Sequence, residues 1–183
     1  MRFLRGAAPF LVVGALWEAV VCLGAFPARL FPPLEQVAAA DFAEVLRINL
    51  VGAFVLTKAV AASMRARGGG SIVHIGSALG AVAVRDFSPY VASKGGLNAL
   101  ARAAAGELVG DRIRVNVVSP GTIDTVISAG VTEFRRRMLE HRIPIGRPGH
   151  VDDIAAACLY LASDAAGYVT GSVLAVDGGW TAA

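Results

Sequence analysis

The chain has 183 residues, enough to bury one sizeable core and short for two domains, so 1–183 reads as a single domain. Hydrophobic residues make up 55% and the mean hydropathy is +0.60, which excludes disorder and suits a sheet buried on both faces or a surface that takes a partner. The net charge of +3 is spread thinly apart from Arg135, Arg136 and Arg137, a pattern that argues against nucleic-acid binding.

Residues 1–40 open with MRFLR and the apolar GAAPFLVVGALW, superficially a signal peptide. Glu18 interrupts the run and no small-x-small cleavage site follows; an acid near mid-membrane costs about 3 kcal/mol, so a buried cytoplasmic segment is expected, without membrane insertion. Glu18 to Gly24 reads as a strand, with Pro27, Pro32 and Pro33 marking the loop behind it. Cys22 and Cys158 sit in apolar runs as small core residues of a reducing compartment, and His74, His141 and His150 lack ligand spacing, so no metal site is expected.

Asp41 is expected to cap a helix whose Phe42, Val45, Leu46, Phe54, Val55 and Val60 recur at helical spacing until Gly68, Gly69 and Gly70 stop it. That triplet leads into a strand and opens no helix, so it is not a phosphate cradle. Asn49 lies inside the helix, where an amide that competes for backbone bonds is a poor choice.

Ser71 to Ile75 alternates little and reads as a central parallel strand, on which His74 is read as a structural histidine. Ser77 ends the strand, and Pro89 precedes a long helix, Tyr90 to about Val109, rich in alanine, glycine and serine and suited to close packing. Tyr90 and Lys94, four apart, share a helical face. A free phenol titrates near 10, and bringing it toward 7 takes about 4 kcal/mol, which a fixed cation in a dry pocket can supply. Tyr90 would then exchange protons, with Ser77 donating to a substrate oxygen that gains charge.

Ile113 to Val118 is a further buried strand, turned by Ser119-Pro120-Gly121 at the carboxyl end where open parallel sheets take ligands. Residues 127–148 carry mixed signals, Val151 to Leu161 is a helix led by Asp152 and Asp153, and Ser172 to Val176 is the last strand.

Asn49-Leu50-Val51-Gly52, Ser77, Tyr90-x-x-x-Lys94, Pro120 through Thr125, and Val169-Thr170-Gly171 through Gly179 together resemble the short-chain dehydrogenase/reductase family over about Asp41 to Trp180, leaving 1–40 divergent. The resemblance implies an α/β Rossmann-like parallel sheet flanked by helices, and an NAD- or NADP-dependent interconversion of a secondary alcohol and a ketone. It implies a tetrad in which Tyr90 exchanges the proton, Lys94 lowers its pKa and holds the nicotinamide ribose, Ser77 positions the carbonyl, and Asn49 bends the helix and holds a water of the proton relay. Pro120, Gly121 and Ile123 would border the nicotinamide, with Thr125 near its amide or the phosphates, and 127–148 would be the substrate lid. The helices around 41–66 and 90–109 would pair copies into a homodimer or homotetramer. The tail is similar to those of 3-oxoacyl-carrier-protein reductases and of sugar or steroid dehydrogenases, which selects no substrate.

The family's first strand, glycine-rich turn and helix have no counterpart, because no G-x-x-x-G-x-G unit occurs. About four strands are expected, near 19–23, 71–75, 113–118 and 172–176, matching the family's fourth to seventh, an N-terminally truncated sheet. Val21-Cys22-Leu23-Gly24 stands where the family has Asn-Asn-Ala-Gly. The residue that separates NAD from NADP follows a strand with no counterpart here. A truncated, non-catalytic subunit that pairs with a full-length relative is the alternative; a hydrolase built on Ser77 lacks both a G-x-S-x-G elbow and a His-acid pair.

Overall fold

The computed structural model describes residues 34–125 and 142–182. Three strands, β1 (Gly70–Ile75), β2 (Ile113–Pro120) and β3 (Val173–Val176), form a parallel sheet in the order β1-β2-β3. Gly70 lies opposite Ile113 and Ile75 opposite Val118; Val117 pairs with Val173 and Pro120 with Val176. The strand expected at 19–23 lies outside the described residues.

β2 is central and β-branched, and both its faces are covered. Ile113, Val115 and Val117 point to one side, against Ala61, Ala101, Ala104 and Ala105. Val118 points to the other, against Ala157, Leu161 and Ala166. This two-sided burial is why the strand carries apolar residues on both faces, with Val117 and Val118 adjacent in sequence. The first layer is built by α1 (Ala39–Leu46), a π turn (Arg47–Val51), α2 (Gly52–Ala66) and α3 (Ser88–Leu108), and the second by α4 (Val151–Ala162).

The helix boundaries have local causes. Asp41 was expected as a cap, yet Ala38 holds the N-cap position with no side-chain bond, and Asp41 sits in the first turn, where a carboxylate still favours the positive end of the helix. Helix α2 stops before Gly68 and Gly69, whose φ values are +86° and +134°. A Cβ at Gly69 would lie 2.6 Å from the Arg112 carbonyl oxygen, so the stop needs glycine for space as well as for conformation. α3 begins two residues before Tyr90, with Pro89 in its first turn. His150 caps α4: its ring accepts from the Asp152 N–H, and Asp153 accepts from the His150 N–H in return.

The long run Ala39–Ala66 has a mean hydropathy of 1.6 over its most apolar window, of which 11% is buried, and by length and composition alone it could cross a membrane. Val51, Phe54, Val55 and Leu56 are about half exposed along it. Cys158 is partly buried on α4, where desolvation raises its thiol pKa.

Two polar residues of β2 lock the second layer. Asn116 is fully buried; its amide nitrogen donates to the Val169 carbonyl (2.8 Å) and its oxygen accepts from the Ser172 N–H (3.0 Å). Arg114 donates to the carbonyls of Leu161, Ser163 and Val169, and so satisfies the carboxyl end of α4. Arg114→Met keeps the apolar stem and removes these charge-assisted bonds. It is expected to lower stability by about 1–3 kcal/mol, read as an earlier midpoint in urea unfolding.

Candidate functional site

Ser77 leaves β1 in an extended conformation, and its chain turns at once over α3. Its Oγ accepts from the Leu79 N–H (3.2 Å) and its carbonyl accepts from the Gly80 N–H (2.8 Å), which closes a single tight turn over Ala78–Gly80. Gly76 donates to the Val118 carbonyl (2.7 Å), so the ends of β1 and β2 lie side by side.

Tyr90 and Lys94 lie one turn apart on α3. The Ser77 side chain is near enough to the Tyr90 hydroxyl to lower the phenol's pKa, and Lys94 Nζ lies 5.6 Å from the centre of the Tyr90 ring. Lys94 is 6% exposed and donates to the Ile75 carbonyl at the end of β1 (3.0 Å). Three of the four expected tetrad residues therefore meet. The open cleft of about 400 Å³ lined by Leu34, Glu35, Arg85 and Asp86 holds none of the four.

Asn49 stands in the π turn, Arg47–Val51, a local widening of the helix. Its amide nitrogen donates to Ser93 Oγ (3.1 Å), and Ser93 donates to the Tyr90 carbonyl (2.7 Å). Asn49 thus reaches the tyrosine's own helical turn through Ser93, a fully buried residue that sequence reading took only as small. A serine three positions after the tyrosine, able to bond back to its carbonyl, was the available signal.

His74 is tied to α2. Thr57 spends its one hydroxyl hydrogen on the Ala53 carbonyl (2.8 Å), so at the 3.2 Å contact with His74 the ring Nε2 must be the donor. The histidine is a bonded structural group, as expected, and burial together with the Lys94 charge lowers its pKa.

The electrostatics overturn one expectation. Burial raises the Tyr90 phenol above its ordinary value, opposed by the nearby Ser77 side chain, and desolvation brings the Lys94 ammonium down to about 8. Loss of water is the leading cause of both shifts, and the ammonium faces a backbone carbonyl and lies over the ring.

The residues expected around a nicotinamide line the carboxyl end of β2. Pro120 closes the strand, and Gly121 donates to the Val176 carbonyl (3.1 Å). A Cβ at Gly121 would lie 2.7 Å from Asp177 Cα, an approach of backbone to backbone that only glycine permits. Ile123 forms a parallel bridge with Gly149, and Thr125 is the last residue described before 126. Most of the expected lid, through 141, lies outside the described residues, whereas Ile143 packs with Trp180, Ala78 and Leu79 beside Tyr90. Asp177 anchors this tail by accepting from the N–H groups of Gly179 and Thr181 and from the Thr181 hydroxyl. Among the described residues no group of three or more His, Cys, Asp or Glu is placed to hold a metal ion.

A sequence model described as enoyl-(acyl carrier protein) reductase matches residues 13–181, beginning upstream of Asp41. The chain is 42% identical over 150 residues to cis-4-hydroxycyclohexanecarboxylate dehydrogenase of Sinomonas cyclohexanicum, covering 82% of this chain and 60% of that protein. It is 43% identical over 159 residues to galactitol 2-dehydrogenase (L-tagatose-forming) of Cereibacter sphaeroides, with 84% and 62% covered. A gluconate 5-dehydrogenase from Burkholderia cenocepacia, solved in complex with NADP and tartrate, superposes with a TM-score of 0.79 at 34% identity, over 84% of this chain and 61% of that one. The chain thus spans about 60% of the length of the curated relatives it matches.

The buried ammonium sets a pH dependence. The unfolded lysine titrates near 10.5 and the folded one near 8, so between these values the unfolded state binds more protons and stability rises with pH. Tyr90 acts in the opposite sense only above about 10, where the unfolded phenol ionises first. Lys94→Met is expected to be the more stable protein at pH 7, by up to about 3 kcal/mol, and to lose the rise; urea midpoints at pH 7 and 9.5 measure both.

Proposed function

Because the chain belongs to the short-chain dehydrogenase/reductase family, we propose that it takes part in the NAD- or NADP-dependent interconversion of a secondary alcohol and a ketone, with Tyr90 as the proton-exchanging group. The observation that carries this reading is the meeting of Ser77, Tyr90 and Lys94 where α3 crosses the carboxyl end of β1.

In the direction of reduction, the Tyr90 hydroxyl gives its proton to the substrate carbonyl oxygen as that oxygen gains charge. Ser77 accepts from the Leu79 N–H and keeps its own hydrogen to donate, so the same oxygen can take a second hydrogen bond from it. The phenolate left behind is a strong base in its buried setting, and an ammonium titrating near 8 can return the proton downhill. Asn49 and Ser93 brace the turn that carries Tyr90.

The residues present suit the nicotinamide end of a dinucleotide. Lys94 carries three N–H donors in a dry site and bonds one backbone carbonyl, a donor set that ribose hydroxyls complete. Pro120, Gly121 and Ile123 would border the ring, with Thr125 toward its amide or phosphates. When bound, the nicotinamide supplies the hydride that the protein cannot. The relatives' names point to hydroxylated acids and polyols, and the class of substrate proposed is a small polar secondary alcohol.

The exposed Val51, Phe54, Val55 and Leu56 and the small-residue helix α3 would pair copies into a homodimer or homotetramer. A second reading, a non-catalytic subunit that pairs with a full-length relative, is favoured by the raised Tyr90 phenol.

Titration with NADPH and NADH, followed by tryptophan fluorescence and by turnover of polyol and hydroxy-acid substrates, tests the two. Saturable binding with turnover, reduced at least about 100-fold in Tyr90→Phe, supports the enzyme. Absence of binding and turnover, with activity appearing only beside a full-length relative, supports the subunit. Unchanged turnover in Tyr90→Phe rejects the proton role.

A further inference from the structure

Asn98 lies on α3 one turn beyond Lys94, is 5% exposed, and has no part in the chemistry described above. Its amide nitrogen donates to the carbonyl of Gly80, the last residue of the turn that begins at Ser77 (3.3 Å). Its oxygen is buried without a hydrogen-bond partner among the described residues. An asparagine inside a helix is disfavoured relative to leucine or alanine, and a buried acceptor left unpaired is a second penalty. Two penalties at one site call for a return elsewhere in the molecule.

The return lies in what the amide touches. A Cβ at Gly80 would lie 2.7 Å from Asn98 Nδ2 and 2.9 Å from the Lys94 carbonyl oxygen; one at Gly76 would lie 2.7 Å from Val117 Cγ1 and 3.4 Å from Asn98 Oδ1. The glycines on either side of Ser77 thus let its loop settle on this one amide, and the turn is stiff because Gly80 is bonded back to Ser77.

We infer that Asn98 is a positioning residue, which sets the height of the Ser77 hydroxyl above Tyr90 by holding the Gly80 carbonyl against the helix that carries Tyr90 and Lys94. The inference rests on the oxidoreductase reading for its effect on turnover, and on geometry alone for its effect on the contact between Ser77 and Tyr90.

Asn98→Leu and Asn98→Ala both remove the donor together with the unpaired acceptor, and the smaller one cannot overpack the loop. Each is expected to keep its thermal midpoint while kcat falls about 10- to 100-fold and KM for the dinucleotide stays unchanged. A second readout needs no activity. In protein made with 3-fluorotyrosine and carrying Tyr160→Phe and Tyr168→Phe, Tyr90 is the one fluorinated phenol, and its titration is followed by fluorine NMR. Ser77→Ala and Asn98→Ala should each raise its midpoint, and the double variant should raise it no further than Ser77→Ala. Additive shifts, an unmoved Tyr90 titration in Asn98→Ala, or a kcat loss that merely tracks the unfolded fraction would overturn the inference. If the parent chain has no turnover, the oxidoreductase reading fails for the lone chain and the titration still decides the role of Asn98.

Discussion

Everything at this site depends on an ammonium kept out of water. Lys94 reaches from α3 to the carbonyl that ends β1, and this bond fixes how high the helix rides over the sheet. Burying a cation is unfavourable, which is why the group titrates near 8, and the molecule tolerates it because α3 is otherwise packed on β2 through alanine. The small side chains let the helix approach closely, and the close approach makes the lysine dry.

The same closeness arranges its neighbours. Ser77 comes down onto α3 in one tight turn, Ser93 ties the tyrosine's turn to the π turn at Asn49, and His74 answers Thr57 across the sheet face. Each polar group spans two elements, so the site is a set of braces between β1, α2 and α3. On the opposite face Arg114 and Asn116 do comparable work for α4 and the loop after it, where the charges concern the fold.

The electrostatics of the pair differ from those expected of the bare sequence. An isolated Tyr-x-x-x-Lys pair suggests a cation that acidifies a phenol. With both groups buried, the phenol is a weaker acid and the ammonium a stronger one than either would be in water. Desolvation acts on each group separately and does not show in their spacing.

The sequence by itself determined the described strands to within about two residues, and the helices nearly as well, since their periodicities and glycine stops are local. It also determined which candidate site residues lie together, because Ser77, Tyr90 and Lys94 fall within one strand-loop-helix passage. Tertiary structure alone decided that Asn49 bonds to Ser93, that Asn98 holds the Gly80 carbonyl, and that the phenol moves upward. Those outcomes turn on distances between segments far apart in the chain and on how much water the packing expels, neither of which any local pattern of residues encodes.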